Sequence, residues 1–188
     1  KSTMMERLTK IDALTNLYNH KTFHEYLEFL YEQSVSQGMP LQLAIIDIDD
    51  FKMINDTYGH DKGDMVIRKV ADILSESVTE DEIVARYGGE EFTILFTKKK
   101  LEAAYELLEN IRLKIASQQY EDLDEKVTVS IGLQNLERDM CKTDFFQKTD
   151  MLLYTAKQTG KNLIFVEGIT AGGENQQAEN RKVSPEAP

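Results

Sequence analysis

The chain has a single cysteine, Cys141, so no disulfide can close within it, and a reducing cytoplasm is the compartment this suits. It lacks a long apolar run. The longest, Leu43 to Ile46 with its flanks, is far too short to cross a membrane, and no signal peptide is visible. It is also short of positive charge. With 22 Lys and Arg against 33 Asp and Glu the net charge is -11, which argues against nucleic acid as a partner, since a phosphate backbone needs a basic face. A nucleotide is not excluded, because a bound cation can offset carboxylates and phosphates together. There is no internal repeat. The chain starts with Lys1 and not Met, as a piece of a longer protein would, and an upstream part could carry a membrane anchor.

What is present is an ordinary globular composition, 41% hydrophobic and 29% charged over 188 residues, enough for one domain and a tail. Residues 1–9 read as the end of a helix, with Met4, Met5 and Leu8 on one face. Turn formers over 12–19 break that period. A helix is expected over about 21–37, closed by Gly38 and Pro40. Leu41 to Asp47 reads as a strand buried on both faces and ending in acid. A helix to about Ser77 follows, entered through Asp61 to Asp64. Two strands, about 83–86 and 91–97, flank a Gly-Gly turn. Then come a helix over 101–118, a strand over 127–133, a helix over 144–159 with Gly160 at its end, and a strand over 162–166. From Gly168 onward the residues are polar or small, and 168–188 reads as a disordered tail or linker. The expected fold is α+β, a mixed and largely antiparallel sheet of about five strands flanked by helices.

Two stretches carry candidate chemistry. Asp47-Ile48-Asp49-Asp50-Phe51-Lys52 leaves a buried strand at its carboxyl end, where open α/β sheets bind ligands. Its three aspartates supply the oxygen-only chemistry that suits magnesium, or else they cap the following turn. Lys52 can meet a phosphate or serve as a surface lysine. Asn55 and Asp64 can read a base edge, or act as turn former and helix N-cap. His60 has no metal-type partner and reads as structural. The second stretch is Arg86-Tyr87-Gly88-Gly89-Glu90-Glu91-Phe92. Gly-Gly between strands signals a hairpin whose turn needs positive φ. Its two carboxylates and bare backbone suit a metal and a phosphate, or are merely a solvated acidic tip.

Five motifs in order, Asp12-x-Leu14-Thr15-x-Leu17-Tyr18-Asn19, the run from Asp47 to Asp64, Arg86 to Phe92, Val129-Ser130-Ile131-Gly132, and Tyr154-x-Ala156-Lys157-x-x-Gly160-Lys161-Asn162, resemble the GGDEF family of diguanylate cyclases from about Asp12 to Val166. The resemblance implies a palm-like nucleotidyl cyclase fold over residues 11–167, preceded at 1–10 by the end of a signalling helix. It implies that two GTP molecules are condensed to cyclic di-GMP across a homodimer, with an upstream sensory domain as regulator. It makes Asp47, Glu90 and the Ile48 carbonyl ligands of magnesium, with manganese as a substitute. Asn55 and Asp64 become guanine readers. Lys52, Lys157, Lys161 and amides near Phe51 become phosphate contacts. Gly88 and Gly89 leave room for the nucleotide, and Glu91 assists at the reacting centre.

The chain departs from the family where an Arg-x-x-Asp pair often binds inhibitory product. Thr79 and Glu82 stand there, and no product inhibition through that site is expected. Asn16 replaces a usual Gly at a position Asn tolerates. His20 and Lys21 replace a basic pair, with little expected effect. The rival function is a catalytically silent module of the same fold that binds GTP or cyclic di-GMP or serves dimerisation.

Overall fold

The structure is a computed structural model that describes residues 3–168. The expected tail therefore lies outside the described residues, apart from Gly168. Helices α1 (Met4–Lys10) and α2 (His20–Gln37) precede strand β1 (Gln42–Ile48). Next come α3 (Phe51–Tyr58), α4 (His60–Ser77), β2 (Glu82–Arg86), β3 (Glu91–Phe96) and α5 (Leu101–Ser117). The chain continues through β4 (Val129–Asn135), α6 (Lys142–Gln158) and β5 (Ile164–Glu167). The sheet order is β2-β3-β1-β4-β5, antiparallel except for the parallel β4–β5 pair. This is the expected five-stranded mixed sheet. No helix among the described residues is long and apolar enough to cross a membrane.

The apolar run of β1 has a simple cause. Successive side chains alternate between faces. Ala44, Ile46 and Ile48 enter a core with Phe51 and Ile54 of α3, Val66, Val70 and Leu74 of α4, and Leu108 and Ile111 of α5. Leu43 and Ile45 enter a second core with Phe23 and Leu27 of α2 and Phe145 and Leu153 of α6. Each buried Val, Leu, Ile or Phe side chain among them contributes roughly 1.5–3 kcal/mol, so both faces resist a slip in register. Alternation also fixes where Asp47 points. It shares the face of Leu43 and Ile45, the side that α6 covers.

Three local expectations fail. Residues 51–58 form a short helix where Asn55 reads as a turn former; Phe51 and Ile54, one turn apart, bury its inner edge. The next helix begins at His60, so Asp64 lies inside α4 and is not its N-cap. Neither Gly88 nor Gly89 has a positive φ. The turn runs through three residues, closed by Tyr87 N–H donating to the Glu91 carbonyl at 2.8 Å. Other expectations hold: Asn16 takes the left-handed conformation (φ 61°), as does Gly38 (φ 68°) at the end of α2.

Candidate active site

The acids converge where β1 ends. Register pairs Asp47 with Glu91 of β3 on one side and Ser130 of β4 on the other. Glu90 is held alongside, its carbonyl accepting from Ile48 N–H at 3.1 Å. Like charges directly opposite across antiparallel strands repel. Burial pushes the Asp47 carboxyl above its ordinary value; the Lys157 hydrogen bond and charge pull it back, and Glu90 and Asp49 push it up again. Glu91 is pushed up to about 7, first by burial, then by the charges of Asp47, Asp150 and Glu90 and by a hydrogen bond with Asp47.

Lys157 answers this charge. Its ammonium donates to Asp47 Oδ1 at 2.8 Å, Asp49 Oδ1 at 3.2 Å and the Ile48 carbonyl at 3.4 Å. It gets there because α6 lies hard against the sheet. A Cβ on Gly132 of β4 would sit 2.4 Å from the Thr149 carbonyl oxygen and 2.5 Å from the Leu153 nitrogen. Only the bare backbone lets the helix approach so closely.

Asp49 and Asp50 do other work than the metal chemistry considered for them. Asp49 is buried and accepts from Thr128 Oγ1 (2.7 Å), Ser130 Oγ (2.6 Å) and Asn162 N–H (3.0 Å) as well as Lys157. It is a brace that ties the end of β1 to β4 and to the turn after α6. Asp50 sits at the N-cap of α3 with φ 53° and makes no side-chain cap; it pairs with Lys161 at 2.5 Å instead. The first amides of α3 are thus uncapped by this side chain and carry the positive end of the helix dipole. Gly160, Lys161 and Asn162 all have positive φ (136°, 62° and 51°). For the two non-glycines that costs free energy. Arg112 holds the turn by donating to the Asn162 carbonyl (3.1 Å) and side-chain Oδ1 (2.8 Å), and Arg112 is itself paired with Glu109.

The Gly-Gly turn is braced from behind. Arg86 donates to the carbonyls of Gly88 (3.2 Å) and Gly89 (2.9 Å) and reaches Asp12 at 3.3 Å. The Asp12 carboxylate also accepts from the amide and hydroxyl of Thr15. His20 contributes more than expected: its Nδ1 lies 3.0 Å from the Tyr87 carbonyl and the two rings are 4.3 Å apart. Glycine at 88 and 89 is not demanded by the folded chain. A Cβ on Gly88 would make only an ordinary contact with Glu91 at 3.5 Å, and one on Gly89 would meet nothing within 4 Å. The space in front of the turn is open to a ligand.

Phe51 is buried as the first residue of α3, and Lys52 beside it is exposed. Asn55 Oδ1 is buried with no hydrogen-bond partner among the described residues. It lies over Gly63, where a Cβ would come within 1.9 Å of it. Asp64 follows at once, half-buried on α4. Both bland alternatives for these residues, turn former and N-cap, are excluded by the helices they occupy.

The donors fit magnesium. Among the described residues no three His, Cys, Asp or Glu side chains make a ready cage. Magnesium does not need one, being held by one or two carboxylates together with substrate phosphates and water. Asp47, Glu90 and the Ile48 carbonyl are such a set.

Upstream, Thr79 and Glu82 close on each other. The Thr79 hydroxyl and amide donate to Glu82 Oε2 at 2.6 and 2.9 Å, and Lys99 lies 2.9 Å from the other oxygen. Burial pushes the Glu82 carboxyl up, but these bonds outweigh it and hold it below its ordinary value. A cavity of about 680 Å³ opens at the far end of β1, between Tyr31, Met39, Gln42 and Met140, and holds none of the motif acids.

Sequence reasoning missed the brace at Asp49, the approach at Gly132 and the clamp at Arg112. Ser130 and Gly132 lie in the Val129-Ser130-Ile131-Gly132 motif, and their two-residue spacing, which puts both on one face of the strand, is the available signal. Arg112 gave none.

Comparison with known proteins agrees with this geometry. The family model described as diguanylate cyclase, GGDEF domain, matches residues 9–163. The probable diguanylate cyclase DgcT of Escherichia coli (strain K12) is 36% identical over 163 residues, 84% of this chain and 36% of that protein, so the chain spans little more than a third of that relative. The GGDEF domain of DgcB from Caulobacter crescentus, solved in complex with c-di-GMP, is 33% identical with a TM-score of 0.79, covering 84% of this chain and 95% of that one. The active GGEEF domain of a diguanylate cyclase from Vibrio cholerae is 31% identical with a TM-score of 0.75, covering 79% of this chain and 96% of that one. With the acids gathered at the end of β1, the open Gly-Gly turn beside them and a family match across most of its length, the chain belongs to the GGDEF-domain diguanylate cyclase family.

Proposed function

We propose that the chain is a diguanylate cyclase half-site that condenses two GTP into cyclic di-GMP, with two pyrophosphates released, at the interface of a two-fold dimer in which each subunit holds one GTP. The 3′-hydroxyl oxygen of each GTP forms a bond to the α-phosphorus of the other. The bond to pyrophosphate breaks, and the hydroxyl proton is lost. The observation that carries this reading is the convergence of Asp47, Glu90 and Glu91 beside the open Gly88–Gly89 turn. The same Gly-Gly-Glu-Glu-Phe sequence names the Vibrio cholerae domain, which is described as active.

Phosphoryl transfer needs in-line positioning and cancellation of charge more than covalent help. Asp47, Glu90 and the Ile48 carbonyl would hold magnesium, or manganese in its place. Bound there, the ion supplies charge to the phosphates and lowers the pKa of the attacking hydroxyl. Lys52, Lys157, Lys161 and the first amides of α3 near Phe51 face the phosphates. Gly88 and Gly89 admit them. Glu91, whose carboxyl burial and the neighbouring acids raise to about 7 in the metal-free chain, assists at the reacting centre. Asp64 accepts from the N1–H and amino group of guanine, which adenine does not match. The unpartnered amide oxygen of Asn55 supports its role as the second base contact. Thr79 and Glu82 provide no guanidinium for product, so feedback through that site is absent.

An upstream sensory domain, acting through α1, would control pairing of the two halves, and the cytoplasm supplies GTP. The test is incubation of the chain, and of an artificially dimerised version, with GTP and magnesium, followed by detection of cyclic di-GMP. Product is expected, and Glu90→Ala abolishes it while GTP binding survives. GTP binding without product in both forms would replace this reading with that of a silent binding module.

A further inference from the structure

Lys157 occupies the oxygens on which the proposed metal depends. Of its three contacts, two are Asp47 Oδ1 (2.8 Å) and the Ile48 carbonyl (3.4 Å), both expected metal ligands. The third is Asp49 Oδ1 at 3.2 Å. An ammonium has three donors and no acceptor, so these three oxygens satisfy it. The nest is largely closed to water, with side-chain exposures of 23% for Lys157, 14% for Asp47 and 2% for Asp49. A metal ion on the same oxygens would stand only a few ångströms from the ammonium, and two cations at that range in a half-buried setting repel strongly.

The two carboxylates differ in how they would bear the loss of Lys157. Asp49 keeps three other donors, Thr128, Ser130 and the Asn162 amide, so it is not orphaned. Asp47 accepts from no other cation among the described residues. It sits opposite Glu91 and beside Glu90, and it needs a positive charge, either the ammonium or a metal. Lysine's stem has four flexible carbons, so its head can swing while α6 stays docked on Gly132.

Resting on the diguanylate cyclase reading, we propose that Lys157 is an internal counter-cation: it holds the metal position before metal binds, is displaced when metal and nucleotide arrive together, and then carries its charge to a phosphate. Metal alone therefore binds weakly. Metal and nucleotide assist each other, because the nucleotide gives the displaced ammonium a new partner. A lysine that met phosphate from a position clear of the metal's oxygens would have little effect on metal binding, and that difference can be measured.

The experiment titrates Mn2+ alone into the metal-free chain and follows free Mn2+ by its electron paramagnetic resonance signal, with circular dichroism as the check on folding. Lys157→Met is expected to bind Mn2+ at least about tenfold more tightly than the unaltered chain, a coupling of ordinary size between two sites. Lys157→Arg, which keeps the charge, stays close to the unaltered chain, an outcome that a purely structural role for the side chain would not give. Adding Asp47→Asn to Lys157→Met removes the gain. Equal or weaker Mn2+ binding by Lys157→Met overturns the proposal, since the metal would then be using the other oxygen of Asp47. Tight binding that survives Asp47→Asn places the cation elsewhere and overturns the site assignment, and the proposal with it.

Discussion

Gly132→Ala is the substitution whose effect follows most directly from the structure. The new methyl carbon would lie 2.4 Å from the Thr149 oxygen and 2.5 Å from the Leu153 nitrogen, both backbone atoms of α6, and ordinary contact begins near 3.4 Å. No rotamer change can relieve a clash with a helix backbone, so α6 must withdraw by about 1 Å from the sheet. Overpacking of this kind costs typically 1–3 kcal/mol, and rigid neighbours put this case near 3. For a domain of this size that lowers the melting temperature by about 6–12 °C. The same shift moves the base of Lys157 away from Asp47, and on the proposed function misplacement of about 1 Å near a reacting centre lowers the rate by up to about 100-fold. The assay pairs thermal unfolding with cyclic di-GMP formation from GTP. Gly89→Ala is the control: its methyl meets no protein atom within 4 Å, so stability holds within about 0.5 kcal/mol while turnover falls. Unchanged stability and turnover in Gly132→Ala would refute the reasoning, as would equal loss of stability in both variants.

Glu91 sets a pH dependence in the metal-free chain. Its carboxyl is raised from 4.5 to about 7, so between those values the folded state binds more protons than the unfolded. Its stabilising effect is complete below about 4.5 and is lost as pH rises through 7. After allowance for its partial exposure, Glu91→Gln is expected to be more stable than the parent by about 1 kcal/mol at pH 8 and equal at pH 4.5, as read from urea midpoints. At the upstream turn, calorimetry should show no tight cyclic di-GMP binding that depends on Thr79 or Glu82, because the two are already bonded to each other and to Lys99. Asp64→Ser should erode the preference for GTP over ATP, as competition assays would show; an unchanged preference removes Asp64 from the base site.

The large elements were legible because burial writes periodicity into sequence. β1 showed as an apolar run since both its faces are covered, and α5 as a stripe since only one is. Helix α3 was not legible, because its eight residues end in good turn formers and its buried edge has only Phe51 and Ile54. At the site, residue types carried the acids and lysines but not their pairing. Asp47, Asp49 and Asp50 look equivalent in the chain. Strand alternation and the docking of α6 give them three different tasks: one faces Lys157, one is a brace and one is drawn off by Lys161. The glycines show the same gap. Sequence marked Gly88 and Gly89 as special for two reasons; the positive φ is one they do not adopt, while the space in front of the turn is open.

The brace at Asp49 also bears on the order in which the chain is made. The groups that donate to its carboxylate lie 79, 81, 108 and 113 residues further along, at the side chains of Thr128, Ser130 and Lys157 and the amide of Asn162. Asn55, Gly63 and Asp64 can come together early, within one helical pair. The acid end cannot, since its long-range contacts must wait for α6 and the turn after it to leave the ribosome. A nascent or prematurely ended chain could therefore pair α3 with α4 yet hold an unfinished acid cluster. The stretch that carries α6 and the turn after it is therefore what completes the acid end, and on the proposed function no cyclic di-GMP could form before it is in place.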